Sequence, residues 1–402
     1  MSPIPSLLSS DDEELTAQLI ELLGRDDREL APAALQHTRW KTLYPPCKPR
    51  SLQKLVVALL FINLGALAYV TLAAVSSSAP PTDAFDITFA RFWRNGLSVH
   101  DSERYPADFF GNVMPIPCHS HNDYLRRTPL FAALGSGCVS IEADVWPGKA
   151  DLYVAHTRSG IRQVMTLRNM YIDPLAAILE FMNSPSMPEQ NTGRPLGIFY
   201  NNPVQSLTLL VDFKTPDADI FTLLYDQLQP LREKGWLTHW NGTDRVARPI
   251  TVVASGSVDF GLLIANHSYR DIFYDAPLDA LNDESDGRFD SAGRLPDVTV
   301  QRFKYNPSNS HLASVKFSRA IGPLWGGRLS DEQMETLRRQ IHDARERQLI
   351  PRYWGTPRWP RSLRSAIWAL LVQEGIGLLN VDDLWAARKG QWGSWPQGGP
   401  QT

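Results

Sequence analysis

Cys138-Val139-Ser140-Ile141-Glu142-Ala143-Asp144-Val145-Trp146 is an apolar run with two carboxylates set into its second half. Side chains alternate faces along a β-strand, so Glu142 and Asp144 share one face while Ile141, Ala143 and Val145 share the other. A near-continuous apolar run of this kind reads as a strand buried on both sides, as in a parallel sheet. A second stretch repeats the pattern: Leu207-Thr208-Leu209-Leu210-Val211 leads into Asp212-Phe213-Lys214, again with polar groups at i and i+2. His119 and His121 follow the same spacing upstream, with His119 one layer deeper on the same strand face and expected to be a packing residue. Parallel α/β folds build their sites at the C-terminal ends of such strands.

With His156, these stretches supply six candidate residues, each expected at the C-terminal end of a strand: His121, Glu142, Asp144, His156, Asp212 and Lys214. A lone Glu-x-Asp at a strand end is ordinarily a solvated loop edge, and a lone histidine is ordinarily packing. The joint pattern argues otherwise. Two carboxylates on one face of a buried strand repel each other and lose hydration, which needs a cation or shared protons to be tolerable. A divalent metal is the simplest answer, and hard oxygen ligands favour magnesium or calcium over zinc. Carboxylates, imidazoles and an amine are together what metal-assisted cleavage of a phosphodiester requires.

The stretch His119-Ser120-His121-Asn122-Asp123-Tyr124, then Glu142-Ala143-Asp144-Val145-Trp146, Ala155-His156-Thr157 and Val211-Asp212-Phe213-Lys214, resembles the PLC-like phosphodiesterase superfamily, which includes glycerophosphodiester phosphodiesterases and the spider-venom type of sphingomyelinase D. With Leu378-Leu379-Asn380-Val381-Asp382-Asp383-Leu384, the wording is most similar to the fungal "altered inheritance of mitochondria" protein six family. The resemblance covers roughly residues 112 to 390. It implies a TIM-type (β/α)8 barrel, metal ligation by Glu142, Asp144 and Asp212, an acid/base pair of His121 and His156, and Lys214 as a phosphate contact. Ile350-Pro351-Arg352-Tyr353-Trp354-Gly355-Thr356 is similar to a late barrel strand of these enzymes, which places Trp354 at the substrate. One departure lies at the front: His121-Asn122-Asp123 stands where glycerophosphodiesterases open with His-Arg-Gly, so an arginine expected near the phosphate is missing.

Leu55 to Val75 carries no charge and is long enough to cross a hydrocarbon core of about 30 Å. Lys41, Lys48, Arg50 and Lys54 precede it, whereas residues 76–90 contain no Lys or Arg. That asymmetry predicts a type II signal anchor, with the N-terminus cytosolic and the barrel luminal or extracellular. The sequons Asn241-Gly242-Thr243 and Asn266-His267-Ser268 agree with this orientation. Asp11, Asp12, Glu13 and Glu14 argue against a mitochondrial transit sequence. The expected domains are therefore a cytosolic polar tail (1–54) with an amphipathic helix at Asp11 to Leu30, the anchor (55–75), a linker and lead-in (76–111), the barrel (112–390) and a C-terminal tail (391–402). Cys47, just before the anchor, is a weak palmitoylation candidate. Strict strand alternation sets Cys118 facing away from the barrel interior and Cys138 into it, which disfavours a disulfide between them.

A net charge of -3 leaves no basic footprint, so nucleic acid is not an expected partner, and nothing in the sequence sets the oligomeric state. Strands are expected at 207–213, 250–255, 271–274, 312–317, 350–354 and 376–381, with helices at 129–135, 217–233, 331–348 and 361–374, the alternation of a parallel barrel. Ser184 to Arg194 and Asp283 to Pro296 read as polar loops. Two other classes compete with this reading. A glycosidase on the same barrel has no need of two histidines and a lysine around its acid pair, and a catalytically silent, membrane-tethered binding module would keep the fold without turnover.

Overall fold

The computed structural model describes residues 49–78, 113–185, 193–282 and 304–390. The expected helix Asp11 to Leu30, Cys47, the loop Asp283 to Pro296, most of the linker and the tail from residue 391 lie outside them.

Pro49–Ser78 is a single helix, extending beyond both ends of the charge-free run. Within it, Gln53–Leu72 has mean hydropathy 2.3 and is long and apolar enough to cross a membrane. The helix up to Thr71 falls in one compact unit, and the chain from Leu72 onward in a second.

The strands of the second unit are β1 (Ile116–Ser120), β2 (Cys138–Pro147), β3 (Leu152–Val154), β4 (Leu207–Phe213), β5 (His239–Trp240), β6 (Arg245–Val246), β7 (Ile250–Gly256), β8 (Ile272–Pro277), β9 (Ser310–Lys316), β10 (Ile350–Trp354) and β11 (Leu378–Val381). The main sheet runs β1-β11-β10-β9-β8-β7-β4-β2-β3, and β1 also pairs with β2, so the sheet closes on itself. Only β3 in this sheet is antiparallel, returning as a hairpin from β2, which leaves a closed ring of eight parallel strands. Helices Phe131–Gly135, Asp173–Met182, Ala218–Gln227, Asp331–Glu346 and Arg361–Gln373 are among those that connect the strands. Asp331–Glu346 starts on a capping box, Ser330 with Gln333, that satisfies two backbone N–H groups.

The apolar runs explain the accuracy of the strand expectations. Ile141, Ala143 and Val145 on β2 and Leu209 and Val211 on β4 are fully buried, and the alternate positions turn inward. The register pairs Asp144 with Asp212 across β2 and β4, so two carboxylates placed independently by sequence parity come side by side.

One expectation fails. Cys118 and Cys138 form a disulfide, with a Cα–Cα separation of 4.7 Å. The strict alternation used to argue against it does not hold, because the β1–β2 register shifts between Ile116 and His119: three steps on β1 face two on β2, from Cys138 to Ser140. An irregularity of this kind re-aims side chains, and it brings Cys118 round to its partner.

Candidate active site

β2 and β4 end in an acidic cluster held by a single lysine. Lys214 Nζ lies 2.8 Å from Asp144 Oδ2 and also donates to Asp212 Oδ2. Asp144 is fully buried. Its Oδ2 additionally accepts from the Tyr124 hydroxyl and lies 3.1 Å from His156 Nδ1, while its Oδ1 is buried with no hydrogen-bond partner. Burial pushes the Asp212 carboxyl up to about 6; Lys214 opposes this, and the charges of Asp144 and Glu142 add to it. Gly256, at the end of β7, adopts φ +72°, and a Cβ there would overlap Asp212 Oδ1 and the Phe213 carbonyl. Only glycine lets the backbone come this close at a left-handed φ.

Glu142 sits one step deeper. His119 Nε2 is 3.2 Å from its Oε2, and the Asn122 backbone N–H donates to the same oxygen at 3.0 Å. Burial works to raise Glu142, but the hydrogen bond from His119 and the charges of His121, His119 and Arg352 outweigh it and hold the carboxyl well below its usual range. His119 itself falls to about 4 through burial and the nearby Arg352 charge, so it is neutral at pH 7. The neutral ring fits its partners: Ser140 Oγ lies 2.7 Å from Nδ1, which accepts, and Nε2–H donates to the carboxylate. His119 was expected only to pack; it is instead a partner of a candidate metal ligand.

His121 Nδ1 meets Asp382 Oδ1 at 2.7 Å, the residue directly after β11 supplying the acid. Burial lowers the imidazole, yet the Asp382 hydrogen bond and the Glu142 charge prevail and its pKa is raised. Asn122 takes the left-handed conformation, φ 48°, which Asn tolerates better than most residues. Asp123 then pins the loop, accepting from Ser120 Oγ at 2.7 Å and from the Leu130 N–H at 2.6 Å. The acid of the His-Asn-Asp motif is thus a loop anchor.

The expected residues divide as follows. Asp144, Asp212, Lys214 and His156 form one connected network; Glu142 joins His119 and Asn122; His121 joins Asp382. His156 departs from the expected barrel-strand end: it follows the antiparallel β3 in a loop, with its side chain 57% exposed. Trp354 ends β10 half-exposed, 5.5 Å from Lys316 Nζ. Sequence reasoning also missed Arg352, buried in the barrel, which donates to Ser314 Oγ at 2.9 Å and Asn380 Oδ1 at 3.0 Å and pairs with Asp275 Oδ2 at 3.4 Å. No arginine follows His121 directly, but this one lies close enough to act on His119, His121 and Glu142.

The donor types suit a hard divalent cation: Asp144 and Asp212 lie side by side on adjacent strands, Asp144 carrying a buried oxygen without a partner, while Glu142 is engaged one step deeper by His119 and Asn122.

Residues 107–275 match the family model described as AIM6-like phosphodiesterase domain. The chain is 34% identical over 295 residues to the altered inheritance of mitochondria protein 6 homolog of Arthroderma benhamiae, covering 71% of this chain and 87% of that protein. It is 36% identical over 278 residues to the altered inheritance of mitochondria protein 6 of Eremothecium gossypii, covering 67% and 68% of the two chains. A solved phosphatidylinositol-specific phospholipase C from Listeria monocytogenes aligns at TM-score 0.34 and 10% identity, covering 70% of this chain and 93% of that one. That likeness is too slight to add to the strand order described above. A closed parallel barrel with acids and imidazoles at its strand ends is of the phosphodiesterase-like class. The chain belongs to the altered inheritance of mitochondria protein 6 family.

Proposed function

We propose that this barrel is a metal-dependent phosphoric diester hydrolase acting on a lipid-derived phosphodiester: a glycerophosphodiester, lysophospholipid or sphingolipid. The observation that carries the reading is the charge excess at the ends of β2 and β4, where Asp144 and Asp212 share one cation, Lys214, and Glu142 sits one step deeper against His119. Magnesium or calcium would be held by these three carboxylates and would supply positive charge to the non-bridging phosphate oxygens. Lys214 shares that charge from the same side. In this reading His121, its Nδ1 held by Asp382, would protonate the leaving oxygen from Nε2, and His156, anchored through Nδ1 by Asp144 and Tyr124, would accept a proton from the attacking hydroxyl through Nε2.

The test is product release from a panel of lysophospholipids, glycerophosphodiesters and sphingomyelin, with magnesium and with a chelator. Turnover that the chelator abolishes supports the reading, and the absence of any magnesium, calcium or manganese binding at millimolar concentration sinks the metal assignment. One observation favours a second reading, a silent binding module: Lys214 already bridges Asp144 and Asp212, so a cation-free site is partly compensated. Metal binding without turnover of any phosphodiester would select it.

The helix Gln53–Leu72 fits a membrane anchor. The Cys118–Cys138 disulfide supports a barrel outside the reducing cytosol, in agreement with the flanking charges. Both sequon asparagines, Asn241 and Asn266, are exposed. In sealed microsomes they should carry glycan, and external protease should trim only the N-terminal tail; digestion of the barrel would reverse the orientation.

A further inference from the structure

The loops that follow β9, β10, β11 and β1 form one continuous rim. Gly327, in the loop after β9, lies against Leu363, which begins the helix after β10, and the Lys316 side chain lies against Gly355. Arg358 binds Asp382 at 2.8 Å, and Arg126 donates to the Asp382 carbonyl at 3.2 Å, joining the β10, β11 and β1 loops. The rim borders the site, since Asp382 also holds His121.

Two properties coincide on it. It exposes large apolar side chains: Leu125, Trp359, Trp385 and above all Trp325, 84% exposed and carried beside two glycines of positive φ, Gly326 and Gly327. It is also basic. Residues 316–330 and 354–361 contain Lys316, Arg319, Arg328, Arg358 and Arg361 and no Asp or Glu, in a chain whose net charge is -3. Asp382 and Asp383 in the β11 loop are taken up by His121, Arg358 and Arg364, while Arg319 pairs outside the rim with Asp279. Exposed indoles among arginines suit the headgroup layer of a membrane, where the ring enters the boundary and the cations meet anionic lipid. The chain also carries an apolar helix of spanning length, joined to the barrel by residues 79–112. At most about 3.3–3.6 Å per residue, such a linker keeps the barrel within reach of the bilayer that holds the helix.

We propose that this rim docks on an anionic lipid surface, Trp325 and Trp359 entering the headgroup layer, so that the site opens onto lipid rather than bulk water. The proposal rests on the reading of the substrate as a lipid phosphodiester. The test uses the full chain reconstituted in vesicles, with Cys47→Ser and a polarity-sensitive dye on Trp325→Cys. A Lys234→Cys variant, an exposed position after the helix that follows β4 and ahead of β7, is the control. In vesicles containing phosphatidylserine the Trp325→Cys dye should blue-shift and be quenched severalfold by spin-labelled lipid. It should respond weakly in pure phosphatidylcholine and lose the response in 1 M salt, where screening contracts to about 3 Å. The control dye should stay polar throughout. A dye at 325 that stays polar, that responds equally on both lipids, or that matches the control overturns the proposal; a dye shielded only in a dimer assigns the rim to a second copy and overturns it too. The Trp325→Ala/Trp359→Ala variant should keep turnover of a soluble short-chain phosphodiester and lose it severalfold on vesicle-embedded substrate. A responsive dye with no turnover of any diester leaves the docking standing and removes the hydrolase reading instead.

Discussion

Two acidic clusters share the interior of this barrel, and they are balanced differently. On the β8–β10 side, Asp275 faces the guanidinium of Arg352, both side chains almost wholly buried, with Ser255 Oγ donating to the carboxylate at 3.0 Å. On the β2–β4 side, Asp144 and Asp212 share one lysine near the surface, and Glu142 lies one step deeper against His119. Each cluster leaves one buried carboxylate oxygen without a partner, Asp144 Oδ1 and Asp275 Oδ1, so orphaned atoms do not separate them. Charge does. The first cluster is closed, one acid to one base; the second carries an excess that only an added cation or added protons can relieve.

The sharpest way to test that contrast is to break the closed side. Arg352→Met should strand Asp275 and cost about 3–5 kcal/mol in denaturant unfolding, as for any buried pair that loses one partner. Asp212→Asn on the open side should lose metal binding while the metal-free protein melts no earlier than wild type, because a repulsion is removed with the ligand. Equal destabilisation by the two variants would erase the distinction.

Next in size are the histidines beside the open cluster. His121→Ala and His156→Ala should each lower turnover on the order of a hundredfold or more, and the double variant should lose little beyond either, since groups that act as a unit are non-additive. His119→Ala now has a different expectation from a packing residue: freed of its donor, Glu142 should take up protons more readily and bind metal more weakly, as calorimetry would show. Loss of turnover with metal binding and melting unchanged would move the acid/base role to His119.

The smallest effect is in pH. The folded Asp212 carboxyl, at about 6, lies above its ordinary value of 3.8. Between these values the metal-free folded state holds a proton that the unfolded chain has released, so stability from this group is greatest below the window and falls as pH rises through it. Magnesium should flatten that slope, and its affinity should drop as pH falls below about 6. An affinity independent of pH from 5 to 7 would detach Asp212 from the metal.

The open cluster was legible because its members lie on strands announced by apolar runs and share faces by parity alone: Leu207–Phe213 is found at its expected bounds, and Asp144 and Asp212 come into register. The closed cluster was not, because Arg352 acquires meaning only through Asp275, Ser314 and Asn380 on three other strands. His156 was misplaced because the short run before it is an antiparallel return, which looks the same in sequence as a barrel strand. The disulfide was misjudged because an irregular step in β1 has no compositional mark.

That cross-link ties the first two barrel strands, 20 residues apart in the chain. The other neighbour of β1 is β11, which begins at Leu378 and is the last barrel strand to be made. At about 5–20 residues per second of synthesis, β1 emerges tens of seconds before the strand that completes the ring. A bond available as soon as β2 has emerged gives the nascent edge of β1 a fixed seat during that interval. The opening edge of the barrel is then already in place when the closing strand arrives.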